Sequence, residues 1–129
     1  MSHYLLSAEA GFSAAHTLAG VDQCSRMHGH NWRVRVTVRV GADRLDGQGM
    51  GVDFRDLERL TRDAVNDFEH RYLNELPPFA AHAPSAETIA RVVGERVTQR
   101  LAGHPSGAAV TQVELWEMPQ YKVVYHPDA

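Results

Sequence analysis

Cysteine, net charge and long apolar runs are all scarce in this sequence. Cys24 is the single cysteine, so no intramolecular disulfide can form. No apolar run approaches the roughly 20 residues of a membrane-spanning helix, and no charged-then-apolar leader opens the chain. The formal net charge of −3 offers no broad basic field for nucleic acid or anionic membrane. We therefore expect a cytoplasmic protein with neither as a partner.

Histidine is abundant, with eight among 129 residues, and imidazole is the commonest metal ligand. Apolar residues at 43% and charged residues at 22% are close to ordinary globular usage. The length suits one domain, so we expect a single globular unit over residues 1–129. Composition alone therefore points toward a metal site in a small globular protein.

Four segments have the pattern of β-strands. Residues 33–40 alternate strictly, with valines on one face and arginines and a threonine on the other. Residues 4–16 form a less regular strand before them. Residues 109–117 and 121–125 are rich in β-branched and aromatic side chains and are separated by a short turn. The chain thus begins and ends with a pair of strands.

Two amphipathic helices are predicted between these pairs. Apolar residues recur at helical spacing over residues 54–68 after Asp53, and over residues 89–101 after Ser85, and both leading residues are good N-caps. The order ββααββ predicts an α+β fold, a four-stranded antiparallel sheet with both helices on one face. The other face must meet water or another subunit, and the open outer edges invite association.

Three histidines are candidate metal ligands. His28 and His30 share one side of an extended chain, and a hairpin would bring His16, at the end of the first strand, beside them. Three neutral imidazoles with an open fourth position are typical of a catalytic Zn²⁺ site. The alternative is that they are unrelated surface or core histidines.

Cys24 has two competing roles on residue chemistry alone. It could close a structural Cys-His3 zinc site as fourth ligand, or act as a free thiolate, a base or nucleophile beside a cation. An inert buried thiol is the third reading, although its polar neighbours make an apolar core a poor location.

His70, with Glu69 before it, and Glu117 are two further candidate site groups. His70 could cap the first helix as a cation, or a turn could bend it against the carboxylate of Glu69. Glu117 lies on the same side of its strand as Val113 and Leu115, so it is either solvated near the strand end or buried against a partner with paired N–H donors.

With these residues assembled, the sequence resembles the 6-pyruvoyl-tetrahydropterin synthase / 6-carboxy-tetrahydropterin synthase family. The resemblance covers nearly the whole chain, and its motifs run in family order: residues 12–16 (FSAAH), Cys24-x3-His28-Gly-His30, residues 52–54 (VDF) with Leu57, His70 through Asn74, residues 84–87 (PSAE), and Glu117 followed by Tyr125.

The resemblance implies the tunnelling fold, in which subunits join edge to edge into barrels and pair into a homohexamer, a dimer of trimers. It implies that His16, His28 and His30 hold Zn²⁺ and that Cys24, His70 and Glu69 are catalytic. It also implies that Glu117, together with Ser85 and Glu87, binds the pterin substrate. Members commonly have Asp where this chain has Glu69, and many have Arg where it has Thr17.

The implied reaction is zinc-dependent conversion of 7,8-dihydroneopterin triphosphate to 6-carboxy-5,6,7,8-tetrahydropterin, with release of acetaldehyde and triphosphate, in queuosine biosynthesis. The short Cys24–His28 spacing and the compact length resemble this branch of the family. The alternatives are a 6-pyruvoyl-tetrahydropterin synthase, which stops at triphosphate elimination, a non-catalytic zinc or pterin-binding module, and a hydrolase in which zinc activates water.

Overall fold

The structure, a computed structural model, describes residues 1–20 and 25–128. It confirms the α+β class and the element order expected from the pattern, with one additional short strand between the helices. The elements are β1 (His3–His16), β2 (His28–Gly41), α1 (Phe54–Val65), β3 (Arg71–Tyr72), α2 (Ala86–Leu101), β4 (Ala109–Met118) and β5 (Tyr121–Tyr125).

The sheet differs from the expected four antiparallel strands. Within the described ranges it has five strands in the order β3-β1-β2-β4-β5, and β3 pairs parallel to the end of β1. A strand of two residues is too short for any periodicity to reveal it, which is why the sequence pattern missed it. The expectation of a wholly antiparallel four-stranded sheet was therefore wrong in this detail.

The long hairpin of β1 and β2 forms the centre of the sheet. Its register pairs all fourteen residues of each strand, from His3 with Gly41 to His16 with His28. Val34, Val36, Val38 and Val40 on β2 are completely buried, as their alternation predicts. These valines join one hydrophobic core with the apolar faces of both helices.

Both predicted N-caps are present. The Asp53 carboxylate accepts a hydrogen bond from the backbone N–H of Arg55, and the Ser85 hydroxyl accepts one from the N–H of Thr88. Helix α2 comes very close to the sheet at Gly94, where an added Cβ would lie only 3.1 Å from the ring of Tyr125. No helix in the described part of the chain is long and apolar enough to cross a membrane.

The outer face of the sheet carries an ion-pair network. Arg35 donates to Glu9 at 2.8 Å and to Glu114 at 3.4 Å, and Lys122 donates to Glu114 at 3.1 Å. Burial alone would raise the pKa of Glu114, but Lys122 and Arg35 outweigh it and hold that pKa below its ordinary value. The guanidinium of Arg33 stacks 4.0 Å from the ring centroid of Trp116. The charges of this face are thus largely paired within the chain.

Replacing the cap of α2 tests how the helix is stabilised. Ser85→Ala should lower the free energy of unfolding by about 1 kcal/mol, because the N–H of Thr88 loses its acceptor, whereas Ser85→Asn should stay close to wild type. Urea denaturation measures both. Equal losses in the two variants would contradict a capping role for the hydroxyl.

Candidate active site

Three imidazoles meet where the apolar row of the sheet ends. In the β1–β2 register His16 lies opposite His28 and Ala14 opposite His30, next to the buried pair of Phe12 and Trp32. One ligand nitrogen from each of the three histidines lies within 4.8 Å of the others. The predicted juxtaposition is therefore present, and it is a direct consequence of strand pairing.

Backbone carbonyls orient two of the three rings. Nδ1 of His16 lies 2.8 Å from the carbonyl oxygen of Pro84, and Nδ1 of His28 lies 2.8 Å from that of Arg26. Because a carbonyl can only accept, Nδ1 carries a hydrogen in each ring, and the neutral form of each ring therefore has its lone pair on Nε2. This arrangement is the usual way in which proteins prepare a histidine to bind a metal.

Two of these nitrogens have no hydrogen-bond partner. Nε2 of His16 and Nε2 of His30 are buried, and no group in the described ranges satisfies them. Buried polar atoms are rarely left in this state, and a bound ion is one of the recognised reasons. The donor set of three imidazoles fits a metal ion well, and His16, His28 and His30 are the residues that would hold it.

Glu117 approaches the same cluster from β4. Its carboxylate oxygens lie 3.7 Å from Nε2 of His16 and 3.5 Å from Nε2 of His30, and its side chain is one quarter exposed. The pairing of β4 with β5 shifts register between Trp116 and Met118, around this residue. Of the two alternatives for Glu117, the structure favours the inward-facing one, and its neighbours here are imidazoles.

Burial controls the titration of the cluster. Desolvation lowers the pKa of both His16 and His30 below 6.5, and the positive charge that His28 can carry lowers them further. The Pro84 carbonyl opposes this effect at His16, and the Glu117 carboxylate opposes it at both rings, but desolvation is the largest influence. The two imidazoles are therefore held neutral, as metal binding requires.

Glu69 and His70 stand at the edge of β1. The backbone N–H of Ser13 donates to the Glu69 carboxylate at 3.0 Å, and the N–H of His70 donates to the Ser13 carbonyl at 2.7 Å. His70 has a φ of 58°, and this turn brings its Nε2 within 3.4 Å of Glu69. Helix α1 ends at Val65 and a 3-10 turn follows over Asn66–Phe68, so His70 lies two residues beyond the last helical turn. Of the two alternatives for His70, the structure favours the turn that bends it against Glu69.

A cavity of about 480 Å³ lies beside the end of β1. Its lining includes His30, Asn31, His70 and Tyr72. The His70 side chain is 82% exposed, so its ring is free to meet a ligand entering this space.

The remaining predicted site residues are Ser85, Glu87 and Cys24. Ser85 caps α2, directly after the Pro84 carbonyl that orients His16, and Glu87 is exposed in the first turn of that helix. Cys24 falls outside the described residues. Sequence analysis missed the orienting carbonyls of Pro84 and Arg26, because a carbonyl leaves no mark in the residue pattern.

Known proteins are similar to this chain over most of its length. The family model for 6-pyruvoyl tetrahydropterin synthase matches residues 5–128. The 6-carboxy-5,6,7,8-tetrahydropterin synthase of Bacillus subtilis (strain 168) is 30% identical over 128 residues, which cover 95% of this chain and 84% of that protein. The dihydroneopterin monophosphate aldolase of Pyrococcus furiosus is 27% identical over 114 residues, covering 88% and 90%.

A solved structure extends the similarity to the fold. The 6-pyruvoyl tetrahydropterin synthase of Caenorhabditis elegans superposes with a TM-score of 0.81 at 22% identity, covering 99% of this chain and 98% of that one. The chain thus has the tunnelling fold. It belongs to the 6-pyruvoyl tetrahydropterin synthase family, a family of lyases that act on pterins.

The depressed histidine pKa values predict how stability depends on pH. Below pH 6.5 His16 and His30 bind protons in the unfolded metal-free chain more readily than in the folded one. The free energy of unfolding should therefore fall as the pH decreases through that value. Denaturation between about pH 7.5 and about pH 5.5 measures this. His16→Gln should weaken the dependence, whereas His82→Gln, at an exposed position, should preserve it. An unchanged dependence in His16→Gln would contradict the assignment.

Proposed function

We propose that this chain is a zinc-dependent lyase that converts 7,8-dihydroneopterin triphosphate to 6-carboxy-5,6,7,8-tetrahydropterin, releasing acetaldehyde and triphosphate, in queuosine and 7-deazapurine biosynthesis. The observation that carries the proposal is the pair of buried, unpartnered Nε2 atoms of His16 and His30, in the cluster of three imidazoles. The Bacillus subtilis relative, whose name includes this product, supports the choice of reaction.

His16, His28 and His30 are the proposed zinc ligands. Their Nε2 lone pairs are turned inward by hydrogen bonds on the opposite ring nitrogens of His16 and His28. A zinc ion held there would supply Lewis-acid polarisation of the substrate's side-chain oxygens. The burial that lowers the pKa of His16 and His30 also keeps the Nε2 lone pairs of these two rings available at neutral pH.

His70 and Glu69 are proposed to move a proton at the edge of β1, beside the cavity that His70 lines. The carboxylate lies 3.4 Å from Nε2 of His70 and is held by the amide of Ser13, so it can stabilise the imidazolium that forms when His70 accepts a proton. Glu69 thereby does the work of the Asp common in the family. Cys24 is the proposed second proton-transfer residue, in line with its motif position before His28.

Glu117 is proposed to anchor the guanidine-like edge of the pterin. A carboxylate is the natural partner for paired N–H donors. Its position 3.5 Å from His30 would place the pterin ring beside the imidazole cluster. Ser85 and Glu87, on the first turn of α2, are proposed to contribute to the same binding region.

A second candidate substrate differs from the first in its number of phosphates. Thr17 stands where many members have Arg, and because threonine is uncharged it adds no cation to the site. Its hydroxyl lies 2.8 Å from the Tyr72 hydroxyl. The Pyrococcus furiosus relative is named for a dihydroneopterin monophosphate. A monophosphate substrate is therefore the alternative that this observation favours.

We also propose that the protein works in the cytoplasm as a homohexamer, a dimer of trimers. Apart from its two-residue pairing with β3, the outer edge of β1 has no strand partner in the described residues, and β5 ends the sheet on the other side. Unpaired edges of this kind favour strand addition by another copy. Such pairing would bring further side chains toward the cavity beside His70.

A product assay tests the proposed reaction. Zinc-loaded protein incubated with 7,8-dihydroneopterin triphosphate should yield acetaldehyde and 6-carboxy-5,6,7,8-tetrahydropterin, both followed by mass spectrometry. Formation of 6-pyruvoyl-tetrahydropterin without aldehyde would instead assign the other branch. Turnover only of 7,8-dihydroneopterin monophosphate would assign the second candidate, and a simple hydrolysis product with an unreduced ring would point to a hydrolase.

Two variants separate catalysis from metal binding. His70→Gln and Cys24→Ser should each lower kcat by at least about a hundredfold, the usual scale of a lost proton-transfer group, while zinc content stays at the wild-type level. His126→Gln, at an exposed position, serves as the histidine control. Loss of zinc from Cys24→Ser would sink the catalytic assignment and support a structural Cys-His3 site instead.

Zinc titration tests the ligand set without relying on turnover. Zinc should raise the melting temperature of the wild-type chain, and a chelator should reverse the rise, since a ligand that binds only the folded state stabilises it. His28→Gln should abolish most of the shift. A shift of wild-type size in that variant would show that the imidazole cluster is not where zinc binds.

A further inference from the structure

The segment from Glu69 to Asn74 follows the end of β1 closely. Ser13 exchanges hydrogen bonds with Glu69 and His70, and β3 then pairs Arg71 with Ala14 and Tyr72 with Ala15. The same segment therefore continues alongside β1 toward its last residue, His16. It therefore links the turn at His70 to the end of the strand that carries His16.

Asn74 completes this pairing with its side chain. Its Oδ1 accepts from the backbone N–H of Thr17 at 2.9 Å, and its Nδ2 donates to the Thr17 carbonyl at 3.0 Å. Both partners are backbone groups of fixed polarity, so only this orientation of the amide satisfies them. The Asn74 side chain thus gives Thr17, the residue after His16, the two hydrogen bonds that a neighbouring strand would give.

Two other contacts hold this clamp in place. The Tyr72 hydroxyl lies 2.8 Å from the Thr17 hydroxyl, which adds a side-chain link to the backbone link. Leu73 is completely buried in the core and fixes the short 3-10 helix that carries Asn74. Thr17 is therefore held by a segment that the core anchors, although β1 itself ends one residue earlier, at His16.

We propose that Asn74 is a positioning residue for the metal ligand His16. By fixing both backbone groups of Thr17, it keeps the end of β1 extended and the His16 ring in place opposite His28. Without the clamp, an unpaired amide and an unpaired carbonyl would adjoin a ligand whose position must hold to a fraction of an ångström. The inference rests on the proposed zinc site.

The isosteric variant Asn74→Asp gives the sharpest test. It keeps the shape of the side chain and the acceptor for the Thr17 N–H, but sets a carboxylate oxygen against the Thr17 carbonyl. Zinc affinity, measured by chelator competition, should fall about tenfold or more in Asn74→Asp and in Asn74→Ala, the scale seen when support around a metal ligand is lost. An added negative charge by itself would tighten binding of a cation, so it cannot cause the weakening.

Two controls isolate the effect. Asn66→Asp makes the same charge change at an exposed position, and Val97→Ala lowers overall stability from a completely buried position in α2. Both should keep wild-type zinc affinity at a temperature where they are fully folded. Amide hydrogen exchange of Thr17, measured on the metal-free protein, should accelerate in Asn74→Ala and stay slow in the two controls.

The outcomes separate this inference from the proposed function. Wild-type zinc affinity in both Asn74 variants would overturn the positioning role, and so would unchanged exchange at Thr17. If the wild-type chain bound no zinc, the proposed metal site would fall and the positioning of a metal ligand with it. Faster exchange at Thr17 would then show only that Asn74 supports the end of β1.

Discussion

The antiparallel register of β1 and β2 is the constraint on which the site depends. It sets Phe12 opposite Trp32 and His16 opposite His28, so one row of side chains runs from the apolar core into the imidazole cluster. Because strand side chains alternate with a period of two, a slip of one residue would carry His30 to the outer face. The buried valines that fix the register therefore also place the three candidate metal ligands, so the packing of the core determines the geometry of the cluster.

The same arrangement concentrates unfavourable energy at the end of the row. Nε2 of His16 and Nε2 of His30 are buried beside Trp32 with no hydrogen-bond partner among the described residues. Leaving such a group unsatisfied costs about 1–3 kcal/mol. The Glu117 carboxylate, more than 3.4 Å from either nitrogen, compensates only in part. The core thus carries a local cost in stability where two imidazole nitrogens are left free for a ligand, a distribution typical of functional sites.

Periodicity in the sequence predicted the parts of the fold that burial controls. The alternation of residues 33–40 and the helical spacing before and after residues 77–84 follow directly from one buried face on each element, and both were confirmed. Features that depend on single contacts were not accessible in this way. Strand β3 has two residues, the approach of Glu117 to the histidines accompanies an irregularity in β4, and the carbonyls that orient the rings are chemically identical in every residue.

The backbone at His70 shows how such single contacts work together. A residue with a side chain at φ 58° is unfavourable by roughly 1–2 kcal/mol, so the conformation persists only where the surroundings enforce it. Here the Ser13 carbonyl binds the N–H of His70, while the Ser13 N–H binds Glu69, the residue just before it. Glutamate, one methylene longer than aspartate, spans from this amide to the His70 ring. The strained turn holds an exposed imidazole, and His70 and His30 both belong to the lining of the cavity beside β1. Ser13 thus positions both Glu69 and His70, the proposed proton-transfer pair, three residues before His16 on the same strand.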